Sequence, residues 1–368
     1  MGGRSVLYSY PIWQTVSFSL VARKHIEHLR ARAPVYEWDS TTVPDVYVLT
    51  PFALVVHPTI GSFWSWARQV EEIEGGLEEA LSSLEERFRK YERVVGVDVA
   101  DSDRVSELGI RLAEPADALV VPSEWARRAF LRSGYRKPVH VVPHGVDRRW
   151  VEEPPRLPTE GDNPALYLLR KVKEVGGKKL LLFWLWHSGE RKGFPEVAEF
   201  YKRLRRERGD VALVVKTGGP LRPDDPELVK LGVVNVWGWL DDREKMMLYD
   251  VSDVTLLFSR GGAFEINGLE SLARGVPIIA HRRGPWAEYS PGWCLVPEGE
   301  GVPVLPGNPI HVGLGYKVDV ERAVDLAHAM LDDLDEYKAK AREHALRVVA
   351  REYTWDRVAE RLWSVVAS

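Results

Sequence analysis

Two short glycine-containing segments hold the residues of this chain best suited to chemistry. Trp186-His187-Ser188-Gly189-Glu190-Arg191-Lys192-Gly193 places two adjacent cations beside a glycine, after an apolar run and before an amphipathic one. Backbone N–H groups and the dipole at a helix N-terminus favour an anion, and arginine adds a two-pronged donor, so the pattern suits a diphosphate. A solvated basic turn is the plainer reading. Ser259-Arg260-Gly261-Gly262-Ala263-Phe264-Glu265-Ile266-Asn267-Gly268-Leu269-Glu270 also joins a strand end to a helix. Gly261 and Gly262 let the backbone approach a ligand closely. Glu270 can accept hydrogen bonds from the hydroxyls of a sugar. The plainer readings are a first-turn carboxylate favoured by the helix dipole for Glu265 and an exposed helix residue for Glu270.

Weaker candidates follow other apolar runs. Lys216-Thr217-Gly218-Gly219 ends one such run, and Lys216 either adds charge near a phosphate or is a solvated loop lysine. His57-Pro58 follows another, where a histidine either faces a ligand or is an ordinary strand-end residue. Asp98 and Asp101-Ser102-Asp103 carry an Asp-x-Asp spacing. That spacing arises easily by chance, so capping of the next helix or contact with a substrate is preferred over metal binding.

These residues sit on an alternation of strands and helices. In the first half, Ser5–Tyr10, Val46–Leu49, Ala53–Val56, Val94–Val99, Ala118–Val121 and Val139–Val142 read as strands. Leu20–Leu29, Phe63–Glu74, Leu77–Tyr91 and Glu124–Ser133 read as helices, with Ser123 as the N-cap of the last. In the second half, Lys179–Trp186, Val211–Lys216, Val233–Trp237, Val254–Phe258 and Ile278–Ala280 read as strands. Pro195–Arg206, Asp242–Tyr249, Ile266–Ala273, Ala323–Ala350 and Thr354–Ala367 read as helices. Asp241 with Glu244 has the spacing of a capping box, and Gly275 closes the helix that starts at Ile266. The alternation predicts an α/β protein with parallel sheets covered on both faces. The expected division is a Rossmann-like domain over 1–150, a proline-rich linker over 151–178, a second Rossmann-like domain over 179–350, and a C-terminal helix over 351–368 crossing back to the first. Such a pair faces across a cleft, and ligands of open α/β sheets bind at the carboxyl ends of strands.

Composition narrows the function. The 368 residues are 45% hydrophobic and 28% charged, enough to bury a large core. Residues 1–150 hold 19 basic against 20 acidic side chains, and the rest 31 against 34, so a nucleic-acid partner is not expected. One cysteine, Cys294, excludes an internal disulfide framework and a cysteine-based zinc cluster and makes the cytosol the default compartment. No apolar run approaches a membrane span, and no signal peptide is expected. Glutamine occurs only at 14 and 69, and asparagine only at 163, 235, 267 and 308, a depletion expected of a thermophilic source.

Residues 258–280 resemble the donor-site signature of retaining glycosyltransferases of the GT-B fold, family four. Glu270-Ser271-Leu272-Ala273-Arg274-Gly275-Val276-Pro277 matches the second half of that signature. Arg191-Lys192-Gly193 matches the family's basic turn. Val142-Pro143-His144-Gly145-Val146-Asp147 is similar to its interdomain segment, with His144 in place of asparagine, and Pro122-Ser123-Glu124-Trp125 and Thr354-Trp355 match flanking junctions. The resemblance runs in the correct order from about residue 94 onward. It implies a hexosyltransferase-type enzyme that moves a sugar from a nucleotide-diphosphate sugar to an acceptor hydroxyl with retention, needing no cofactor and no metal. It assigns Arg191 and Lys192 to the diphosphate, Glu265 and His57 to the donor sugar, and Glu270 to the ribose. Gly261, Gly262, Ala263, Phe264, Lys216, Trp237 and Gly238 complete the donor side, with Trp237 read alternatively as a core residue.

Three positions depart from the family. The residue eight before Glu270 is Gly262 rather than glutamate. The arginine upstream of the basic turn is absent. The glycine pair after the first strand is replaced by Tyr10-Pro11-Ile12-Trp13-Gln14. Trp13, Asp101 and Asp103 are therefore the expected acceptor-side residues. The acceptor is expected to be a glycan, a lipid-linked molecule or a small molecule. The basic stretch around Arg23, Lys24, Arg30 and Arg32 suits peripheral contact with an anionic membrane, although a helix packed on its own sheet is preferred. A catalytically silent nucleotide-sugar or carbohydrate-binding protein, a nucleotide-sugar epimerase and a glycan phosphorylase are the alternatives on this fold.

Overall fold

The computed structural model describes residues 5–13, 17–39, 54–58, 76–186, 189–220 and 226–368. They form two units. The first comprises Met1–His144, Leu305–Gly313 and Trp355–Ser368, and the second Gly145–Val304 and Leu314–Thr354.

The first unit is built on a parallel sheet of β1 (Val6–Tyr10), β2 (Val35–Asp39), β3 (Leu54–Pro58), β4 (Arg93–Val97), β5 (Ala118–Val121) and β6 (Val139–Val141), in the order β2-β1-β3-β4-β5-β6. Strands β1 and β5 are buried along their whole length, as continuous apolar runs in a covered parallel sheet should be. Strand β2 was not anticipated. Its VYEWD sequence forms the sheet edge and stays half-exposed, so Glu37 and Asp39 can interrupt the apolar pattern. Helix Ser17–Leu29 buries Val21, Ala22, Ile26 and Leu29, and the terminal helix Trp355–Val366 packs against it. The helix is therefore packed on its own unit, as preferred above. The expected Ser123 cap is present, with Ala126 N donating to Ser123 Oγ at 3.1 Å. Leu305–Gly313 joins this unit through fully buried Ile310, whose carbonyl accepts Ser106 N at 2.8 Å. The strand read at 46–49 and the helix read at 63–74 lie outside the described residues.

The second unit holds β7 (Lys179–Leu185), β8 (Val211–Thr217), β9 (Val234–Trp237), β10 (Val254–Leu257), β11 (Ile278–His281) and β12 (Leu295–Val296), all parallel, in the order β12-β11-β10-β7-β8-β9. An antiparallel hairpin, β13 (Glu298–Pro303) with β14 (Leu314–Val318), lies beside it in sequence. Strand order reverses at β7, so the loops after β7 and β10 stand at the topological switch point, where open sheets bind ligands. The capping box is present, with Glu244 N donating to Asp241 Oδ1 at 2.8 Å and Asp241 N to Glu244 Oε2 at 3.0 Å.

Two expectations about this unit change. The stretch read as a linker carries helix Pro164–Glu174, with Leu166 and Leu169 fully buried in the second core. Arg274 ties in the chain just before it, donating to the carbonyls of Trp150, Glu153 and Pro154 and pairing with Asp250 at 2.8 Å. Proline there starts a helix at its first turn, where the missing N–H costs nothing. The long helix read over 323–350 is divided into Val320–Asp332 and Leu334–His344, interrupted at Asp333 (ψ 45°). Among the described residues no helix is long and apolar enough to cross a membrane.

Candidate functional site

The two predicted segments meet. Gly193 leads into helix Phe194–Glu207 with a left-handed φ of 77°, and a Cβ there would lie 2.0 Å from the Phe258 carbonyl oxygen. Glycine is required twice over, by conformation and by the close approach of the loop to the end of β10. Arg260 N donates to the Arg191 carbonyl at 2.7 Å, and Arg191 Nη1 donates to the Gly261 carbonyl at 3.1 Å. The Arg260 guanidinium pairs with buried Glu196, in the first turn of the helix, at 2.9 Å. Tyr316 N of β14 donates to the Arg260 carbonyl at 2.7 Å. Backbone and side chain thus lace the two loops together.

Between them lies a compact charge cluster. Lys192 Nζ donates to both carboxylate oxygens of Glu265 at 2.6 Å, and Arg191 Nη1 stands 3.6 Å from Glu265 Oε1. The side chains are 16%, 5% and 8% exposed for Lys192, Glu265 and Arg191, so water and salt screen the cluster only in part, chiefly at Lys192. Among the described residues Glu265 is the only non-glycine with positive φ, at 63°. Such a backbone costs about 1–3 kcal/mol and persists where the surroundings over-determine it. Here Tyr289 Oη and Gly268 N both donate to the Glu265 carbonyl, at 2.7 and 3.1 Å. The turn sends the side chain back over Gly262, where a Cβ would meet Glu265 Oε1 at 2.7 Å. The Glu265 carboxylate therefore lies against Gly262, the position where the family signature has its own glutamate.

Glu270 is not an exposed helix residue. It is buried in helix Ile266–Ala273, with Lys245 Nζ donating to Oε1 at 2.9 Å and Tyr249 Oη to Oε2 at 3.0 Å. Burial works against the Lys245 ammonium, but the Glu270 and Asp242 carboxylates outweigh it and hold its pKa above the usual lysine value. Burial and the same Glu270 carboxylate push the Tyr249 hydroxyl well above its usual value.

Lys216 is neither a solvated loop residue nor turned to the basic cluster. It is 1% exposed, and its ammonium donates to the carbonyls of Thr217 at 2.9 Å and Gly238 at 2.5 Å, beneath the rings of Trp184 and Trp186. Burial lowers its pKa to about 8. Trp237 is likewise not a core residue. It is 57% exposed at the end of β9, where Gly238 turns the chain with φ 88°, and the exposed rings of Trp186 and Trp239 meet edge to face with centroids 6.4 Å apart.

In the first unit, Ser106 rather than Asp101 or Asp103 caps helix Glu107–Ala113, its Oγ accepting Gly109 N at 3.2 Å. Asp103 instead presses on Gly313, where a Cβ would lie 2.3 Å from its Oδ1, and Asp101 N lies 3.4 Å from His311 Nδ1. Trp13 is 84% exposed. His57 is the fourth residue of β3, and the segment 59–75 that follows lies outside the described residues. A cavity of about 40 Å³ at the ends of β1, β4 and β5 is lined by Tyr8, Tyr10, His25, Asp98 and His144 among others. Burial lowers His25 to about 3 and His144 to about 4, with the charges of His144 and His28 adding to the shift of His25.

The missed residues are Lys245, Tyr249, Arg260, Glu196 and Tyr289. Only the Lys245/Tyr249 spacing of four, one helix face, offered a signal.

The family described as glycosyl transferases group 1 matches residues 178–304, which contain both loops. Uncharacterized protein 356 of Sulfolobus islandicus rod-shaped virus 1 is 33% identical over 348 residues, 93% of this chain and 92% of that protein. Putative glycosyltransferase 45 of a Sulfolobus islandicus filamentous virus is 26% identical over 204 residues, 54% of this chain and 52% of its own. Among solved structures, Anabaena HepE in complex with UDP and glucose matches with a TM-score of 0.66 at 13% identity, over 99% of this chain and all of that one. The trehalose-6-phosphate synthase OtsA matches at 0.65 and 13%, over 100% of this chain and 99% of that one. The fold is that of the GT-B glycosyltransferases. The chain itself belongs to the glycosyl transferases group 1 family and is a glycosyltransferase.

Proposed function

We propose that the enzyme moves a hexosyl group from a nucleotide-diphosphate sugar to an acceptor hydroxyl, with retention at the anomeric carbon and without a metal. The observation that carries this is the convergence of Arg191, Lys192 and Glu265 with the Gly261–Phe264 backbone at the switch point of the second sheet. As the anomeric carbon–oxygen bond breaks, its electron pair stays on the leaving phosphate oxygen. Arg191, Lys192 and the N–H groups of Gly262, Ala263 and Phe264 stabilise that developing charge, the role a divalent cation plays elsewhere. The acceptor hydroxyl attacks from the face the diphosphate leaves, and its proton passes to the departing phosphate oxygen. Glu265 orients the donor sugar and Glu270 receives the ribose. Trp237 and Gly238, with the neighbouring exposed rings, receive the base, and Lys216 stabilises that turn from beneath. HepE is described with UDP and glucose, which supports this donor class. His57, Trp13, Asp101 and Asp103 are assigned to the donor sugar and acceptor side, the acceptor being a glycan, a lipid-linked molecule or a small molecule. TarM of S. aureus, described with UDP and alpha-GlcNAc-glycerol, illustrates one such product class.

A thermal-shift panel of nucleoside diphosphates and their sugars tests the donor class, because a ligand that binds only the folded chain raises its melting temperature. Transfer assays with and without chelator, with the product anomer read by NMR, test the rest. Activity abolished by chelator, or an inverted product, overturns the finer assignments. Tight nucleotide-sugar binding with no turnover on any acceptor turns the reading to a silent binding protein.

A further inference from the structure

Helix Asp242–Val251 carries no motif beyond its capping box, yet two of its residues, four apart, direct their polar ends at one carboxylate. Lys245 Nζ holds Glu270 Oε1 and Tyr249 Oη holds Oε2. Neither partner is loose. The Lys245 ammonium also meets Asp242 Oδ1 at 3.3 Å and lies 5.1 Å from the centre of the Trp150 ring, while Arg149 holds Asp242 at 2.6 Å. The Tyr249 ring stacks on Trp184, and its hydroxyl shares its hydrogen with the Asn267 carbonyl at 3.1 Å. An ionised carboxylate has about four acceptor sites. Among the described residues two are filled, one on each oxygen. The two that remain, one per oxygen, match the demand of a pair of adjacent hydroxyls.

We propose that Lys245 and Tyr249 are positioning residues: together they hold the Glu270 carboxylate in the orientation in which it accepts the hydroxyls of the donor's ribose. The proposal rests on the assignment of Glu270 to the ribose. It goes further in naming what fixes that carboxylate. A purely structural pair would support every nucleotide equally. A positioning pair supports only those with the diol.

Isothermal calorimetry on the full chain separates the two, with UDP, GDP, ADP and their 2′,3′-dideoxy counterparts as probes. The wild type is expected to bind at least one diphosphate, and its dideoxy form at least about tenfold more weakly, the effect of losing hydrogen bonds to a charged group. Lys245→Met is expected to weaken the ribonucleotide about tenfold and leave the dideoxy form within about twofold, so that selectivity collapses. Lys245→Arg, which keeps the charge, retains selectivity. In a Glu270→Gln background, Lys245→Met adds nothing, because coupled residues are not additive. Tyr249→Phe, which removes one oxygen and keeps the ring, reads the same collapse at smaller size and carries the test where Lys245→Met does not fold. Equal weakening of both probe forms in either variant overturns the proposal. A wild type that binds a diphosphate without ribose preference overturns the proposal and the ribose assignment together, while the diphosphate site stands. A wild type that binds none of the six overturns the nucleotide reading itself.

Discussion

On the proposed reading, a diphosphate docking on Lys192 must share that ammonium with its counter-ion Glu265, and Glu265→Gln tests this directly. The ammonium holds both carboxylate oxygens at 2.6 Å, and Arg191 lies 3.6 Å away. A phosphate oxygen accepted by the same ammonium stands about 4.5 Å from the carboxylate, given ordinary hydrogen-bond lengths and tetrahedral donor directions. Two unit charges at that separation repel by about 4 kcal/mol at an effective dielectric of about 20. Mobile salt and the partly exposed Lys192 side chain reduce this to about 2 kcal/mol, about thirtyfold in Kd. Glu265→Gln keeps the side-chain size over Gly262 and removes the charge. It is therefore expected to tighten a free nucleoside diphosphate about 10–100-fold. The intact nucleotide sugar should gain little or lose affinity, because the contact of the carboxylate with sugar hydroxyls, about 1.5–3 kcal/mol, is lost at the same time. The expected net effect of the native glutamate is to favour donor over spent nucleotide. Calorimetric titration of wild type and variant with both ligands measures the two terms. A nucleoside diphosphate bound no more tightly by the variant refutes the counter-ion argument.

Lys192→Met should lower kcat by about 10²–10³, the loss seen when one donor to a developing charge is removed, and a change below fivefold in steady-state assays rejects that role. Gly193→Ala places a Cβ 2.0 Å from the Phe258 carbonyl at φ 77°, and should cost at least about 2 kcal/mol in urea unfolding, with a loss under 0.5 kcal/mol contradicting the contact. His25, His144 and His281 are lowered from 6.5 to about 3, 4 and 4 by burial. The unfolded chain therefore binds more protons below pH 6.5, and stability should fall as pH drops from 6.5 toward 4, which a pH series of melting curves checks. Lys216, lowered from 10.5 to about 8, acts in the opposite range. The folded chain releases its proton first, so this group makes stability rise between pH 8 and 10.5, and Lys216→Met should flatten that rise in the same series.

Sequence pattern carried the architecture further than the site. The continuous apolar runs of β1, β5, β7 and β8 and the capping signals at Ser123 and Asp241 depend on local chemistry and were legible. Strand β2 was not, because an edge strand half in water need not be apolar. The burial of Leu166 and Leu169 was hidden by the prolines that start their helix. Glu270 and Lys216 were each assigned an exposed alternative, and both are buried because each finds partners outside its own segment.

By itself the sequence determined which chemistry was on hand. Paired cations beside Gly193, a glycine pair before a helix, and a carboxylate on that helix are facts of residue type and spacing. Tertiary structure alone decided who neutralises whom. The left-handed turn at Glu265 brings its carboxylate over Gly262 and onto Lys192, 73 residues away in the chain. Helix Asp242–Val251 delivers Lys245 and Tyr249 to Glu270. Charges interact through space at a strength set by distance and burial, and neither quantity is written in the order of residues along the chain.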